Sequence, residues 1–339
     1  MRMLRLALLS CLLVSACSDS ATIGEPTGDT GASGDSHQAG DSTSLGDPTS
    51  PGDPTSGDPF AGDPAGLVPD ECANPAPDWV FCSAFEEGNK DIWDDYDGNP
   101  DATNLLMADA GPLNLADNHV MRIRVPAGRG GADLVKVLPD SYDRAYARWY
   151  MKWEAGYDFT AANHGSGLHA GDRNLLGRSD FRPDGSDWFC SWIEPVPDLV
   201  RLNAYTYYRG MYMDCVDPNG SCWGDHFPCM TDEGGVFCEK PQHRETVMPP
   251  VLEDDRWYCI EMMLDGGTPV TTDAAADGVL NFWVDGLELG PWDDLWLRTN
   301  ADLKITIVWL SLFHHGDHSV EGILFDNVVV STSRIGCLP

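Results

Sequence analysis

Three stretches of the chain carry polar and aromatic residues at alternate positions, the spacing that places side chains on one face of a β-strand. These sets are Arg148, Tyr150 and Lys152, then Trp188, Cys190, Trp192 and Glu194, and then Asn203, Tyr205 and Tyr207. Each set is therefore predicted to line one side of a sheet. A cation, a carboxylate and phenolic hydroxyls would converge there if the three faces meet.

Two histidines complete a set that could carry out a β-elimination next to a carboxylate. That reaction needs a cation or donor on the carboxylate, a base for the neighbouring proton, and an acid for the leaving oxygen. Arg148 is the candidate for the first role, and His169 or His164 for the second. Tyr205 or Tyr207 is the candidate for the third. The alternative is that the Arg and Tyr side chains are plain solvated pairs on an exposed sheet face and that the histidines are structural.

The same faces could instead bind a ligand without turnover. Sugar rings stack on Trp and Tyr, while polar side chains bind their hydroxyls. The predicted ligand-binding residues are Tyr150, Lys152, Trp192, Glu194, Asn203, Trp309 and His315. We expect some of the aromatic rings to be exposed and the others to belong to the core.

A histidine-rich segment is a second candidate site. Residues 314–318 read His-His-Gly-Asp-His, which puts three imidazoles and a carboxylate within five positions, a set that could bind zinc or copper. The Gly-Asp pair favours another interpretation, in which the segment is a hairpin loop between two strands. Its histidines would then lie at the rim of the groove.

The elements that must position these residues are almost all β-strands. Apolar runs rich in aromatic and β-branched residues recur with turn signals between them, and no window holds a convincing helical period. The predicted strands cover residues 120–125, 145–153, 279–284, 303–309 and 323–330. An Asp285-Gly286 turn follows one of them, and a short helix is possible over residues 293–298. The pattern predicts an all-β, two-sheet antiparallel β-sandwich.

Motifs at both ends of this region resemble the first and last strands of concanavalin-A-like jelly rolls. They are residues 81–88 and 325–336, and residues 256–261 and 279–286 match the middle. The order is similar to bacterial polysaccharide-lyase-like domains of that superfamily. The resemblance implies a concave groove that binds polysaccharide. It also implies cleavage of uronate-containing glycans by β-elimination. Because this fold also hosts lectins, a non-catalytic carbohydrate-binding or structural surface lipoprotein is the alternative.

The resemblance also implies one metal site and shows two departures. A structural Ca²⁺ would lie between the first and last strands, with Glu86, Glu87 and Asp326 as ligands. The Glu-x-Asp-x-x-Glu motif of retaining glucanases is absent from the sequence. Residues 163–169 keep the glycines, but not the lysines, of a turn found in some uronan lyases.

The cysteines indicate an oxidising compartment. Of the 11 cysteines, Cys11 and Cys17 lie near the N-terminus, and 11 − 2 leaves nine in the remainder. Cys72 and Cys82 flank the entry to the first strand and are a candidate pair. Four cysteines within residues 215–238 predict a long loop held by two bridges, since their spacing is not that of a zinc site. Nine is odd, so at least one thiol is free or bonds to another chain.

The N-terminus has the layout of a secretory signal peptide. Arg2 and Arg5 precede an apolar run over residues 6–14, and small residues lead to Cys17. This resembles the bacterial lipobox, which implies a signal peptide over residues 1–17, acylation of Cys17, and a membrane anchor on the cell envelope, at the outer membrane or cell surface. The alternatives are an ordinary signal peptide cut nearby or a short membrane anchor.

An acidic linker follows and separates the leader from the domain. Residues 18–70 contain no Lys or Arg, repeat Gly-Asp-Pro, and have too few apolar side chains to fold, so they are predicted to be disordered. Residues 71–339 form the jelly-roll domain in this division. The formal net charge of −33 argues against nucleic acid as a partner.

Overall fold

The computed structural model describes most of the chain from Asp70 onward. The described ranges are residues 70–96, 105–115, 117–128, 130–161, 163–197, 199–212, 222–230, 247–316 and 318–339. Those up to Leu338 belong to one compact unit. The predicted leader with Cys17, and the predicted linker apart from Asp70, lie outside the described residues. Within the described ranges no helix is both long and apolar enough to cross a membrane.

The described residues form β-strands joined by loops and three short 3-10 helices. The strands are β1 (Trp79–Ser83), β2 (Asp95–Tyr96), β3 (Leu105–Ala108), β4 (His119–Val125), β5 (Gly130–Tyr142), β6 (Arg144–Trp153), β7 (Asn163–His164), β8 (Ser166–Gly171), β9 (Trp188–Val196), β10 (Arg201–Tyr207), β11 (Asp225–Phe227), β12 (Trp257–Asp265), β13 (Gly278–Val284), β14 (Leu287–Leu295), β15 (Ile305–His314) and β16 (Glu321–Ser331). The 3-10 helices are Glu71–Ala73, Arg173–Leu175 and Asp273–Ala275.

The strands assemble into two antiparallel sheets. The first sheet has the order β14-β13-β12-β6-β16-β4-β3, and β1 also pairs with β16. The second has the order β11-β10-β9-β8-β15-β5-β2, and β7 also pairs with β15. The predicted all-β, two-sheet antiparallel sandwich is therefore confirmed, and each predicted strand falls within an observed one, except that the strand predicted over residues 303–309 begins at Ile305.

The core lies between the two sheets and follows from the alternation of the strands. On β6, Trp149, Met151 and Trp153 point into it and are at most 1% exposed. On the second sheet the inward residues include Leu168 of β8 and Leu310 of β15, both almost fully buried. Large apolar side chains at every second position therefore fix which face of each strand is internal.

The C-terminal segment packs over the outer face of the first sheet. A disulfide joins Cys337 to Cys259 of β12. The Glu261 carboxylate, also on β12, accepts hydrogen bonds from the backbone N–H groups of Ile335 at 2.7 Å and Gly336 at 3.0 Å. Polar residues on this outer face are therefore buried by the chain's own terminus.

The cysteines follow the predicted pattern in part. The Cys72–Cys82 disulfide is confirmed, and Cys190 is a free, buried thiol. Cys222 and Cys229, within the predicted bridged loop, are both disulfide-bonded. The other two cysteines of that loop lie outside the described residues.

The predicted helix over residues 293–298 is wrong. Its first half belongs to β14, where Leu289, Trp292 and Leu295 pair with residues of β13 that are two positions apart. The partner strand advances two residues for every three on β14, so bulges interrupt the simple alternation by which a strand is recognised in a sequence.

The segment at residues 314–318 does not form the predicted hairpin. β15 ends at His314 in the second sheet, and β16 begins at Glu321 in the first sheet. The connection therefore crosses between the sheets at one end of the sandwich. Its histidines are consequently divided between two environments.

Candidate functional site

One face of the second sheet collects most of the predicted site residues, and we call it the groove face. Its residues alternate with the inward ones on β8, β9, β10 and β15. Its members from the sequence prediction are His164, His169, Trp192, Glu194, Asn203, Tyr205, Tyr207 and Trp309, with His315 just beyond the end of β15. The β-sheet register brings them together although they are up to 151 positions apart in the sequence.

The register between β9 and β10 sets the centre of this face. Tyr205 lies opposite Trp192, and Asn203 lies opposite Glu194. Opposed residues in an antiparallel pair have Cβ atoms about 4.5–5.5 Å apart, so their side chains touch. The predicted sharing of one face by these two alternating sets is therefore confirmed.

A chain of hydrogen bonds links Glu194, His164 and His315. Nδ1 of His164 lies 2.6 Å from the Glu194 Oε2, and its Nε2 lies 2.7 Å from Nε2 of His315. An ionised carboxylate only accepts, so Nδ1 of His164 carries the proton and Nε2 keeps its lone pair. His315 therefore donates to His164, and the Glu194 carboxylate fixes the tautomer that leaves His164 Nε2 basic.

Aromatic rings hold this chain in place. Nε1 of Trp192 donates to the same Glu194 oxygen at 2.7 Å. The Tyr205 ring stacks on the His164 imidazole with centroids 5.5 Å apart and an interplanar angle of 7°. The side chain of His164 keeps 24% exposure and that of Glu194 keeps 9%. Solvent therefore reaches the imidazole of His164 while its carboxylate partner is buried.

The two tyrosines form a phenolic pair beside the imidazole. Their hydroxyls are 3.1 Å apart, and the Tyr205 hydroxyl also accepts from the backbone N–H of Gly224 at 3.0 Å. Burial raises the pKa of Tyr205 well above its ordinary value, and the neighbouring Tyr207 adds to the effect. Tyr205 is therefore a protonated acid at neutral pH, placed next to a histidine with a free lone pair.

Asn203 presents an unused amide on the same face. It is fully buried, and neither its Nδ2 nor its Oδ1 has a hydrogen-bond partner. A buried amide without partners is costly, so Asn203 has a hydrogen-bond donor and an acceptor that the described residues do not use. Arg201 lies two positions earlier on β10, on the same face, with its Nη1 donating to the carbonyl of Pro249.

Arg201 and His226 are site residues that the sequence reasoning missed. Arg201 shares the alternation of Asn203 and Tyr205, so extending that pattern by two positions would have found it. His226 belongs to β11, where it pairs with Tyr205 and its ring centroid lies 4.6 Å from the tyrosine ring. No periodic pattern points to His226, because β11 is only three residues long.

The opposite end of the groove face is closed. His169 is fully buried, and its Nε2 donates to the carbonyl of Asp172 at 3.2 Å. Desolvation by burial lowers its pKa to about 4, so it is neutral at pH 7. Trp309 donates to Asp133 at 2.8 Å, and Gly177 lies against its ring. The residues after β8 therefore fold over this end.

The expectation of exposed aromatic rings on this face is wrong. None of the candidate rings among the described residues exceeds 7% exposure; they are Trp192, Tyr205, Tyr207 and Trp309. The physical reason is cover by other parts of the chain: the segment after β8 lies over His169 and Trp309, and the backbone N–H of Gly224 contacts the Tyr205 hydroxyl. The accessible part of the site is accordingly the end at His164 and His315.

The first sheet holds the remaining predicted residues, which the groove face does not include. Arg148 is fully buried on the outer face of that sheet, 2.5 Å from the Glu71 carboxylate. The Tyr150 hydroxyl accepts from the backbone of Leu338, under the C-terminal segment. The predicted grouping of Arg148 with the histidines and tyrosines is therefore not formed, since β6 belongs to the other sheet.

Lys152 completes that outer set. Its Nζ lies 3.3 Å from a carboxylate oxygen of Asp109 and 5.2 Å from the centroid of the Trp257 ring. Like Arg148 and Tyr150, it faces away from the core on β6, as the alternation predicted. Its contacts are with the chain itself.

The residues of the predicted calcium site have protein partners. The Glu86 carboxylate accepts from the backbone N–H of His119 at 2.7 Å, and the Glu87 carboxylate accepts from Ser83 at 3.3 Å. Asp326 is fully buried and accepts from Asn118 at 2.9 Å. Desolvation raises the pKa of Asp326 well above its ordinary value. Calcium binding by these residues stays a prediction.

Comparison with known proteins places the fold. An alginate lyase, vAL-1 from Chlorella virus, superposes with a TM-score of 0.50 at 13% identity over 74% of this chain and 96% of its own. The PL-14 alginate lyase from Aplysia kurodai gives 0.51 at 12% identity over 75% and 99%. The chain has the jelly-roll fold of these polysaccharide lyases. No protein-family model and no curated protein matches the sequence.

Proposed function

We propose that the groove face binds a uronate-containing polysaccharide and cleaves it by β-elimination. The observation that carries this proposal is the Glu194–His164–His315 chain beside the Tyr205 hydroxyl. It places a basic nitrogen and a protonated phenol on one face of a sheet. The jelly-roll fold is shared with alginate lyases, whose substrate is a polyuronate, and this supports polysaccharide as the partner.

The first step is neutralisation of the uronate carboxylate. Asn203 supplies an unpaired amide donor, and Arg201 supplies a cation at the same edge of β10. Donors on the carboxylate stabilise the charge that develops when the C5 proton leaves. Asn203 and Arg201 take the role that the sequence analysis gave to Arg148.

The second step is proton transfer. Nε2 of His164 takes the C5 proton once the substrate displaces His315, and Glu194 stabilises the imidazolium. The C5–H electrons form the C4–C5 double bond while the C4–O bond breaks. Tyr205 gives its proton to the leaving oxygen, and the proton on His164 then restores the phenol. No water is consumed, and the product carries an unsaturated uronate.

We also propose that the chain is exported and lipid-anchored through Cys17. The disulfides of the domain support an oxidising compartment. The test is to express the chain in a bacterial host that is fed a labelled fatty acid. The label should appear on the wild-type chain and not on the Cys17→Ser variant. Equal labelling of the two chains would reject the anchor and leave the groove face unaffected.

The decisive experiment follows the ultraviolet absorbance of the unsaturated uronate that only β-elimination creates. The full chain, with its disulfides intact, is mixed with uronate-containing polysaccharides and with neutral ones as controls. We expect absorbance to rise with at least one polyuronate. His164→Gln should lower the rate by about 10²–10⁴-fold, the usual contribution of a general base.

A matched pair of variants tests whether Tyr205 is the acid or whether the loss of any tyrosine hydroxyl lowers activity. Tyr205→Phe removes one hydroxyl at the site, and Tyr212→Phe removes one from a ring that is 61% exposed elsewhere. We expect only the first to abolish the absorbance change. A flat trace for the wild-type chain across the whole panel would reject the lyase proposal.

Binding without cleavage is the second candidate. The observation that favours it is the position of Arg148, the predicted partner of the uronate carboxylate, beneath the termini in the other sheet. In that case affinity electrophoresis would show retardation by a polysaccharide with no absorbance change. Trp192→Ala would then remove the retardation, because the ring supports the whole Glu194–His164 arrangement.

A further inference from the structure

A second cluster of ligating side chains lies where the chain crosses from β15 to β16. It consists of His314, His318 and Glu321, whose ligand atoms all lie within 4.8 Å of one another. His314 ends a strand of the second sheet and Glu321 begins a strand of the first sheet. The cluster therefore joins the two sheets at one end of the sandwich, outside the groove face.

Each side chain of this cluster directs an unused polar atom inward. Both ring nitrogens of His314, Nε2 of His318 and Oε2 of Glu321 are buried and have no hydrogen-bond partner. His314 is fully buried and Glu321 is 4% exposed. Buried polar atoms are almost always paired, so this many orphans at one point indicate a missing ligand.

Hydrogen bonds at the back of the cluster orient two of the ligands. Nδ1 of His318 contacts the carbonyl oxygen of Ser319, which can only accept, so Nδ1 carries the proton and Nε2 has the lone pair. Oε1 of Glu321 accepts from the backbone N–H of Asp158 at 3.1 Å and from the Ser319 hydroxyl at 3.3 Å. Such second partners are typical of metal-ligating His and carboxylate groups.

The distances suit a small tetrahedral cation. Nε2 of His314 and Oε2 of Glu321 are 3.4 Å apart. Zinc bonds of about 2.0–2.1 Å in a tetrahedron place neighbouring ligand atoms about 3.3 Å apart. The ligand atoms of all three residues lie within 4.8 Å of one another, so the set contracts by at most about 1.5 Å to reach the tetrahedral spacing.

We propose that His314, His318 and Glu321 bind a zinc ion. Two imidazoles and a carboxylate are ligands that zinc takes, and an oxygen-seeking cation such as Ca²⁺ would not select imidazole. A water molecule completes the tetrahedron. The hydroxyl of Tyr157 is a further buried polar group without a partner, and its ring centroid lies 6.0 Å from that of His314.

The proposed zinc site has a direct neighbour in the groove face. His315, which donates to His164, is joined by one peptide bond to His314. Zinc on His314 would fix the end of β15 and with it the position of His315. The zinc proposal does not depend on the proposed cleavage, because neither its ligands nor its test involve a substrate.

The test measures zinc itself. The full chain is stripped with a chelator and titrated with ZnCl₂, following heat by calorimetry and the melting temperature in parallel. We expect one equivalent of zinc to bind and the melting temperature to rise, since binding to the folded state stabilises it. Co²⁺ in place of zinc should give the visible absorption of a tetrahedral site.

Variants locate the ion. His318→Gln changes a half-buried loop side chain and should fold, while weakening zinc binding by at least about tenfold. Glu321→Gln, a near-isosteric change, should do the same. His119→Gln and His164→Gln, which lie outside the cluster, should bind zinc as the wild type does. No binding to the wild type, unchanged binding by both cluster variants, or loss in His164→Gln alone would each overturn the proposal.

Discussion

At the scale of single residues, burial decides which histidine can act as a base. His164 and His169 lie on the same face, but His164 retains access to solvent and His169 has none. The N–H of His169 donates to a backbone carbonyl, and its ring packs against Trp188 with ring centroids 6.3 Å apart. The sequence offered both as the base, and the structure supports only the one with a carboxylate partner and an open nitrogen.

His169 predicts a pH dependence of stability. Its pKa in the folded chain is about 4 against an ordinary 6.5, because burial disfavours the charged ring. Between these values the unfolded chain binds the proton more tightly. The contribution of His169 to the free energy of unfolding is therefore fully present above pH 6.5. It is lost as the pH falls toward 4, by roughly 3 kcal/mol in full.

Urea denaturation at several pH values measures this effect. His169→Gln cannot titrate, so the difference in unfolding free energy between wild type and variant should shrink on acidification from pH 7 to pH 4. Leu287→Ala, a control at an exposed side chain that cannot titrate, should differ from the wild type by the same amount at every pH. A constant difference between the wild type and His169→Gln over this range would contradict the assignment.

The residue types of the site could be read from the sequence, but their partners could not. Alternation placed Glu194 in one set and Asn203 and Tyr205 in another, and the register shows that the two sets lie on the same face. Arg148 has the same alternation, yet its strand belongs to the other sheet. Which sheet a strand joins depends on long-range pairing, and no local pattern encodes that choice.

At the scale of elements, Gly165 just before β8 and Gly167 on β8 allow the close approach of this segment to β9. A Cβ added at Gly167 would lie 2.0 Å from the carbonyl oxygen of Ser191, and one added at Gly165 would lie equally close to that of Ile193. Both neighbours are backbone atoms, which cannot turn aside as a side chain does. The absence of side chains here also leaves room for the Trp192 ring, which lies opposite Gly167.

Gly167→Ala should therefore destabilise the domain by about 2 kcal/mol or more, since β8 must move away from β9. Gly316→Ala is the matched control, because an added Cβ there meets nothing within 4 Å. Thermal or urea denaturation of both variants measures the difference. Equal stability of the two variants would mean that β8 adjusts at little cost.

Strands were predictable and irregular elements were not. Each predicted strand exists because its apolar residues alternate toward a core or run through a strand buried on both faces, as in β16. The helix expected over residues 293–298 failed because its first half belongs to β14, where bulges break the alternation that identifies a strand. The hairpin expected after His314 failed because the chain changes sheets there.

At the scale of the whole molecule, charge sets how a polyanion reaches the groove. The chain has a formal net charge of −33, and a polyuronate is also negative. Like charges repel over a Debye length of about 30 Å at 0.01 M salt and about 10 Å at 0.1 M. Repulsion therefore slows encounter most strongly in dilute buffer.

We expect cleavage or binding of a polyuronate to become several-fold faster as NaCl rises from about 0.01 M to about 0.15 M. Initial rates at low substrate concentration measure this. A neutral polysaccharide that binds the same face serves as the control and should show no such trend. A rate that falls with salt would instead point to a cationic path into the site, such as one through Arg201.

The Cys72–Cys82 disulfide has a mechanical consequence. It links the residues that precede β1 covalently to Cys82 within that strand, and β1 pairs with the central strand β16. Tension applied to the chain ahead of Cys72 therefore bypasses residues 73–81 and enters the fold at Cys82. The first turn and the start of β1 cannot peel away, so a pulling force must break the pairing with β16 before the sandwich yields.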